Sequence, residues 1–305
     1  MARPILEQLL LVAGWARPFE AELVGALDDP DGRPLGTADF LAARRDATRY
    51  RRLQGSKVWQ TWAADVVVLS RSLDPASATA RVLADLTRAD LSDLDLKETI
   101  DFAGFLIPSG LSLERSRLAS DAWLNQADVL GPVDCRGTTI HGALYLEGSR
   151  VTGRITLDDA EIDRNLEARN LVARSGCSMA RARVSGDAWM RGAHFGGAVQ
   201  FGGSEFGGDA GLGECTYDSD SDFSGMIVKG SAGFEKSRFR GRADFSHAAF
   251  EGQAWFVDCQ FESESNFDRA RFAHPPKFSG AQFAQATSPV MRQIAELEQT
   301  LRRQS

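Results

Sequence analysis

The sequence predicts a mainly β protein: a β-solenoid over residues 87–284, preceded by a helical segment over 1–86 and followed by one helix over 285–305. Three observations carry this expectation. Large apolar residues recur at alternating gaps of 5 and 6 through most of the chain, a period of 11. A small or apolar residue sits two positions before each of them, the alternation of extended chain with both side chains inward. Glycine is abundant, at 29 residues, and recurs at a fixed place in the unit.

Composition bounds the function classes. A hydrophobic fraction of 43% and a charged fraction of 25% describe a folded chain rather than a disordered one. A net charge of −7 argues against direct nucleic-acid binding, which needs clustered Lys and Arg. No apolar run approaches the roughly 20 residues of a membrane span; the longest, Ala63 to Leu69, is broken by Asp65. The first residues lack a Lys/Arg-led apolar stretch with a small-residue cleavage site, so no secretory signal is expected. A reducing cytoplasm follows, with no disulfides among Cys135, Cys177, Cys215 and Cys259.

The helical segment comes first. Ile5, Leu6, Leu9, Leu10 and Ala13 recur at helical spacing, and Arg17-Pro18 suits the first turn of a second helix. Asp28 to Pro34 is a loop by composition. Thr37 caps a helix to about Leu53; Ser56 caps another with Trp59, Trp62, Val66, Leu69 and Leu73 as its apolar stripe; Asp74-Pro75 starts a third that ends near Leu86. Together they form a cap, which a solenoid needs because its first coil otherwise exposes an unpaired edge and an open core. In the helix 37–53, Arg45, Arg49 and Arg52 share a face. That face meets an anionic partner, such as acidic lipid or nucleic acid, or it pairs with nearby acids; residues 1–86 balance at 11 basic and 11 acidic.

The solenoid rests on the run Phe223, Val228, Phe234, Phe239, Phe245, Phe250, Phe256, Phe261, Phe267, Phe272, Phe278 and Phe283, which continues without insertion or deletion back to Leu91. Residues 87–284 thus form 18 units of 11, typified by 241–251, with the large residues at positions 5 and 10. Position 1 is Gly or Ser in 14 of the 18 units, which suggests a corner where the chain turns. The unit 164–174 exchanges large and small: Ala168 and Ala173 stand at the large positions, with Leu166 and Leu171 at the small ones. A packed interior tolerates such volume-conserving trades. A right-handed helical supercoil also has an 11-residue period, but a Gly or Ser in nearly every unit is poor helix material.

Ala89-Asp90-Leu91-Ser92-Asp93 and Ala243-Asp244-Phe245-Ser246-His247 resemble the pentapeptide-repeat family, whose motif is a small residue, a polar residue, Leu or Phe, and two more. The resemblance implies a right-handed quadrilateral β-helix with four repeats per coil. The alternation of 5 and 6 implies 22 residues per coil rather than 20, hence nine coils, with the extra residue at a Gly/Ser corner. At a strand spacing of ~4.8 Å the rod is ~43 Å long.

Residues 22 apart then stack, and the surface reads as columns. One outward column runs Asp101, Trp123, Tyr145, Glu167, Trp189, Gly211, Gly233, Trp255, Lys277. Trp123, Tyr145, Trp189 and Trp255 are residue types that dominate binding hot spots; they contact a partner, or they lie flat as cover or pack beneath the N-terminal helices. A second column is polar, with Asp90, Asp134, Asp222 and Asp244 and no basic residue. The cysteines fall on interior positions. His141, His194, His247 and His274 fall on outward or corner ones, and Asp158, Asp159, Glu161 and Asp163 read as a solvated face.

The last element is a helix capped by Ser288 with Pro289 in its first turn. Val290, Ile294, Leu297 and Leu301 follow a heptad seam that packs on the last coil or on a second copy. Family members that protect DNA gyrase dimerise through C-terminal elements, so the resemblance favours a dimer. The expected function is a non-enzymatic, cofactor-free cytoplasmic scaffold or docking protein for a protein partner. The alternative is a DNA mimic that modulates or protects a type II topoisomerase such as gyrase, a role the resemblance implies for part of the family. The repeats carry 21 basic and 29 acidic residues, a net far below the roughly 25 negative charges of a duplex this long. A third reading is a β-helical enzyme acting on polysaccharide.

Overall fold

The computed structural model describes residues 2–29 and 35–284. The predicted C-terminal helix, with Val290, Ile294, Leu297 and Leu301, lies outside the described residues, as do loop residues 30–34. Five α-helices come first: α1 (Ala2–Ala13), α2 (Glu20–Asp28), α3 (Ala38–Leu53), α4 (Ser56–Arg71) and α5 (Ala78–Thr87), with a 3-10 turn at Arg17–Phe19. Thr37 caps α3 as expected, its side chain accepting from the Phe40 amide. Two starts differ. The N-cap of α4 is Gly55 rather than Ser56. Ser77 caps α5, while Asp74 closes the preceding turn by accepting from the Ala76 amide.

From Ala89 the chain is a parallel β-solenoid of two-residue strands, in which every residue pairs with those 22 before and after it. Four sheets of nine, nine, eight and nine strands form its faces. Face one begins at Ala89–Asp90, face two at Asp95–Leu96, face three at Ile100–Asp101 and face four at Leu106–Ile107. A bridge between Trp255 and Lys277 extends face three.

The interior is one continuous apolar column. Beyond Phe102 and Phe105 in the first coil its early coils are aliphatic, and from Phe195 onward aromatic rings fill it. Rings one coil apart stack nearly parallel: Phe223 on Phe245 at 4.8 Å and 5°, and Phe239 on Phe261 at 4.8 Å and 4°. Rings from opposite faces meet edge to face, as Phe234 and Phe245 do at 5.3 Å and 89°. Both are favoured aromatic geometries. The exchanged unit behaves as volume conservation requires, with Leu166, Ala168, Leu171 and Ala173 all buried. Interior Ser and Thr are tolerated because their hydroxyls find backbone carbonyls: Thr138 and Ser237 donate to Leu113 and Leu212, each 25 residues earlier. Cys215 and Cys259 do the same with their thiols, to Met190 at 3.1 Å and Phe234 at 2.9 Å.

One interior hydroxyl breaks this rule. The Tyr217 hydroxyl has no oxygen or nitrogen partner and only the weak Cys215 thiol beside it, although its ring stacks between Phe195 and Phe239. Tyr217→Phe removes the orphan and keeps the stack. It is expected to stabilise the fold by about 1 kcal/mol in urea unfolding; a loss of stability would mean that the hydroxyl is satisfied.

Each unit turns twice: the chain bends at position 1, where glycine recurs, and again at position 7. Backbone φ is positive at position 7 of all 18 units, from Asp93 to Gly280. Position 7 closes a β-turn in which the position 8 amide donates to the position 5 carbonyl, as in Phe105 to Phe102 at 3.0 Å. Position 1 is small for another reason. A Cβ on Gly241 would lie 2.3 Å from the Ser219 carbonyl carbon, and one on Gly153 would lie 2.4 Å from the Pro132 nitrogen. Neighbouring coils touch there through their backbones.

The cap closes the first coil. The Trp59 ring packs on Phe102 at 5.2 Å and Phe105 at 5.8 Å, and α4 side chains satisfy the open edge of face four. Trp59 Nε1 donates to the Leu106 carbonyl at 2.8 Å, and Gln60 Oε1 accepts from the Leu106 amide at 3.1 Å. On face one, Thr48 Oγ1 accepts from the Asp90 amide at 3.0 Å. The buried Arg44 guanidinium donates to Asp90 Oδ2 at 2.6 and 2.9 Å. The helices thus occupy hydrogen-bonding groups that an exposed edge would offer to other chains.

Candidate functional site

Face three carries the aromatic column. The backbone alternation that buries Ala122, Leu144, Ala188 and Ala254 turns Trp123, Tyr145, Trp189 and Trp255 outward, where each is half-buried. They divide into two groups. Trp123 and Tyr145, on adjacent coils, stack at 4.0 Å and 12°. Trp189 and Trp255 are separated by the coils of Gly211 and Gly233 and flank a trough of about 500 Å³. Glycine forms the floor by necessity. A Cβ on Gly211 would sit 2.5 Å from the Trp189 ring, and one on Gly233 would sit 2.7 Å from Glu235 Oε2.

The charges around the trough are mostly committed. Arg169 pairs with Glu167 and lies 5.4 Å from the Trp189 ring centroid. Arg191 pairs with Glu214 at 2.6 Å. Asp209 accepts from the Ser231 amide at 2.7 Å. Lys277 lies 5.9 Å from the Trp255 centroid. The Glu235 carboxylate, over the Gly233 backbone, has no hydrogen-bond or ion-pair partner among the described residues.

The other sequence candidates have different surroundings. The acidic column on face one is built into its corners. Asp134, Asp222 and Asp244 accept from the amides of Arg136, Ser224 and Ser246, two residues on. Burial would raise the Asp244 carboxyl, but the Ser246 hydrogen bonds and Arg242 hold it below the usual range. The three arginines of α3 do not converge on an anion site. Arg45 donates to the Ser92 carbonyl at 3.4 Å and pairs with Asp93 at 3.5 Å. Arg52 donates to the Thr99 carbonyl at 3.2 Å and pairs with Glu98 at 3.1 Å, and Arg49 alone stands exposed. Sequence reasoning placed Asp90 in the polar column but did not pair it with Arg44, because they lie 46 residues apart and only the fold brings them together.

Two histidines have carboxylate partners: His141 with Asp163 at 2.8 Å and His194 with Asp218 at 2.7 Å. Asp159 pairs with Arg181 at 2.7 Å, which disperses the acidic cluster of that unit. No group of three or more His, Cys, Asp or Glu could hold a metal among the described residues. All four cysteines are buried and free, and burial pushes the thiols of Cys177, Cys215 and Cys259 up to about 12, so they stay protonated and inert. A second groove, apolar and about 730 Å³, lies between α1 and α4 beside the exposed Leu11 and Val58. Leu11 sits in the run Leu9-Leu10-Leu11-Val12, and that run was the only sequence sign of the groove. Among the described residues no helix is long and apolar enough to cross a membrane.

The family model described as pentapeptide repeats (9 copies) matches residues 175–216 and 223–271, within the coils just described. The matched coils are pentapeptide repeats. No curated protein and no solved structure matches the chain significantly. The matched stretch covers most of the coils that Phe fills. The aliphatic coils before residue 175 keep the same pairing of residues 22 apart. The trough lies almost wholly among the matched repeats, whereas Trp123 and Tyr145 lie before them.

Proposed function

We propose that this protein is a non-enzymatic cytoplasmic scaffold that docks a protein partner on face three. The observation that carries the reading is the outward column of Trp123, Tyr145, Trp189 and Trp255, half-buried on a flat and stiff sheet. Rigid aromatic side chains contribute large contact area at low entropic cost, which is why they anchor interfaces. The continuous packing beneath the sheet means that little ordering entropy remains for docking to remove. The free, buried thiols agree with a reducing compartment.

The topoisomerase-mimic alternative finds less support. Its acidic column would have to be open, and these carboxylates are engaged by corner amides and by Arg44, Arg136 and Arg242.

The test replaces all four aromatics with serine. The variant is expected to keep its far-ultraviolet dichroism and cooperative unfolding, since the interior is untouched, and to lose at least tenfold in capture of the partner that wild type retains from native lysate. Undiminished capture by the folded variant would overturn the reading.

A further inference from the structure

We propose that the trough between Trp189 and Trp255 receives an arginine side chain of the protein partner, with Glu235 as its counter-ion. The inference rests on face three being the docking face, and it names the chemistry of the contact.

Most charged groups that line the trough are already engaged. Glu214 is held by Arg191, Asp209 by the Ser231 amide, and Arg169 by Glu167. The Glu235 carboxylate alone among these has neither hydrogen bond nor ion pair among the described residues. Its carboxylate lies over a glycine floor, half shielded from water, between two coils that carry indoles. A desolvated carboxylate gains most from a cation. Two indoles favour one that is planar and weakly hydrated. Guanidinium meets both demands, and its two-pronged donor edge matches a carboxylate. This chain already makes such a contact elsewhere, with Arg51 3.8 Å from the Trp62 centroid. An acidic partner would meet repulsion from Glu235. An uncharged aromatic side chain would cover the carboxylate and leave it unpaired, which is costly. Lys236, exposed at the adjacent left-handed corner, opposes an incoming cation and so sets the sign of a second test.

The probe is the peptide acetyl-Gly-Arg-Gly-amide at millimolar concentration, compared with its citrulline counterpart, which has a similar shape and no charge. The readout is the indole NH resonances of the full chain, assigned with single Trp→Phe variants. The arginine peptide is expected to move the Trp189 and Trp255 signals and leave Trp123 in place, and the citrulline peptide to move none. Glu235→Gln, isosteric and therefore folded, should weaken binding by roughly tenfold, the worth of one charge-assisted hydrogen bond. Lys236→Gln should tighten it by about twofold, as expected for removal of an exposed like charge. Equal responses to the two peptides, unchanged binding by Glu235→Gln, or a stronger response to a neutral oligosaccharide would overturn the proposal. Failure here is separable from failure of the docking face. If the four-serine variant loses its partner but the arginine peptide does not bind, the face stands and the arginine pocket falls. If that variant keeps its partner, the face falls and the peptide result judges the pocket alone.

Discussion

Phe245→Ala is expected to destabilise the protein by about 3–5 kcal/mol, the range for removing a large buried aromatic. Phe245 is fully buried. Its ring stacks on Phe223 and Phe267, both at 4.8 Å, and meets Phe234 at 5.3 Å and Phe256 at 5.4 Å edge to face. Five of its nearest rings would lose a partner at once, since Phe239 also lies 5.9 Å away. The site cannot collapse to heal the gap, because face one is tied to both neighbouring coils by backbone hydrogen bonds: Phe223 to Asp244 and Phe245 to Asn266, each 2.7 Å. Coils contact only their neighbours, so the loss concentrates in the adjacent ones. Urea unfolding measures the total, and hydrogen exchange should report the lost protection around residues 223–267 first. Phe245→Leu, which retains most of the volume, should cost less than half as much. A cost under 1 kcal/mol for alanine would mean that the stack does not support the fold.

Asp90→Ala should be comparably severe, at about 3–5 kcal/mol, through a different cause. Arg44 is buried and donates to Asp90 through two nitrogens, and removal of the carboxylate leaves an uncompensated charge between α3 and the first coil. Asp90 also accepts from the Ser92 amide at 2.9 Å and hydroxyl at 2.7 Å, so the first corner loosens too. Undocking of the cap would uncover Trp59, and a red shift of its fluorescence should accompany the loss. Replacing both partners, Arg44→Met with Asp90→Ala, should recover much of the stability, because neither charge then needs solvation. If the double variant is as unstable as the single one, packing rather than charge holds the cap.

The same pair fixes a pH dependence. Burial pushes the Asp90 carboxyl up, but Arg44 and the two Ser92 hydrogen bonds outweigh it, so its folded value lies below the usual one. A carboxylate depressed on folding contributes stability above the unfolded value of ~3.9, and that contribution is lost as pH falls through the lower folded value. Wild type should therefore hold its cap across neutral pH and shed it only in acid. Asp90→Asn should flatten that part of the acid profile.

The coil arithmetic was legible because inward positions must be apolar at a strict period, and one inserted residue would turn every later side chain to the wrong side. The strand register of residues 22 apart follows directly. Of the two corners in each unit, the one at position 1 was legible and the left-handed one at position 7 was not. Position 7 is left-handed in every unit, yet it holds Asp93, Arg115, Gln126, Glu214, Lys236 and His247 as well as glycines, so no residue type marks it. The conspicuous glycine at position 1 answers a clash between coils, a property of two segments 22 residues apart rather than of either one. The aromatic column was legible as a column. The break at Gly211 and Gly233 was visible in it, but the unpaired state of Glu235 was not, since a surface glutamate reads as solvated until its neighbours are known. The basic side of α3 left two readings open for the same reason: Arg45 and Arg52 serve carbonyls and acids of the first coil that sequence distance hides.

Because residues one coil apart stand directly over one another, this surface works as a ruler with fixed graduations. Groups displayed on one side can be separated only by whole multiples of ~4.8 Å. Evolution can lengthen the interval between Tyr145 and Trp189, now two coils, by duplicating 22 residues, and both still point the same way. Duplicating 11 would carry everything downstream to the opposite side of the rod. Spacing and direction are thus inherited separately, and a partner that spans both aromatic groups constrains the gene to change its length in full coils.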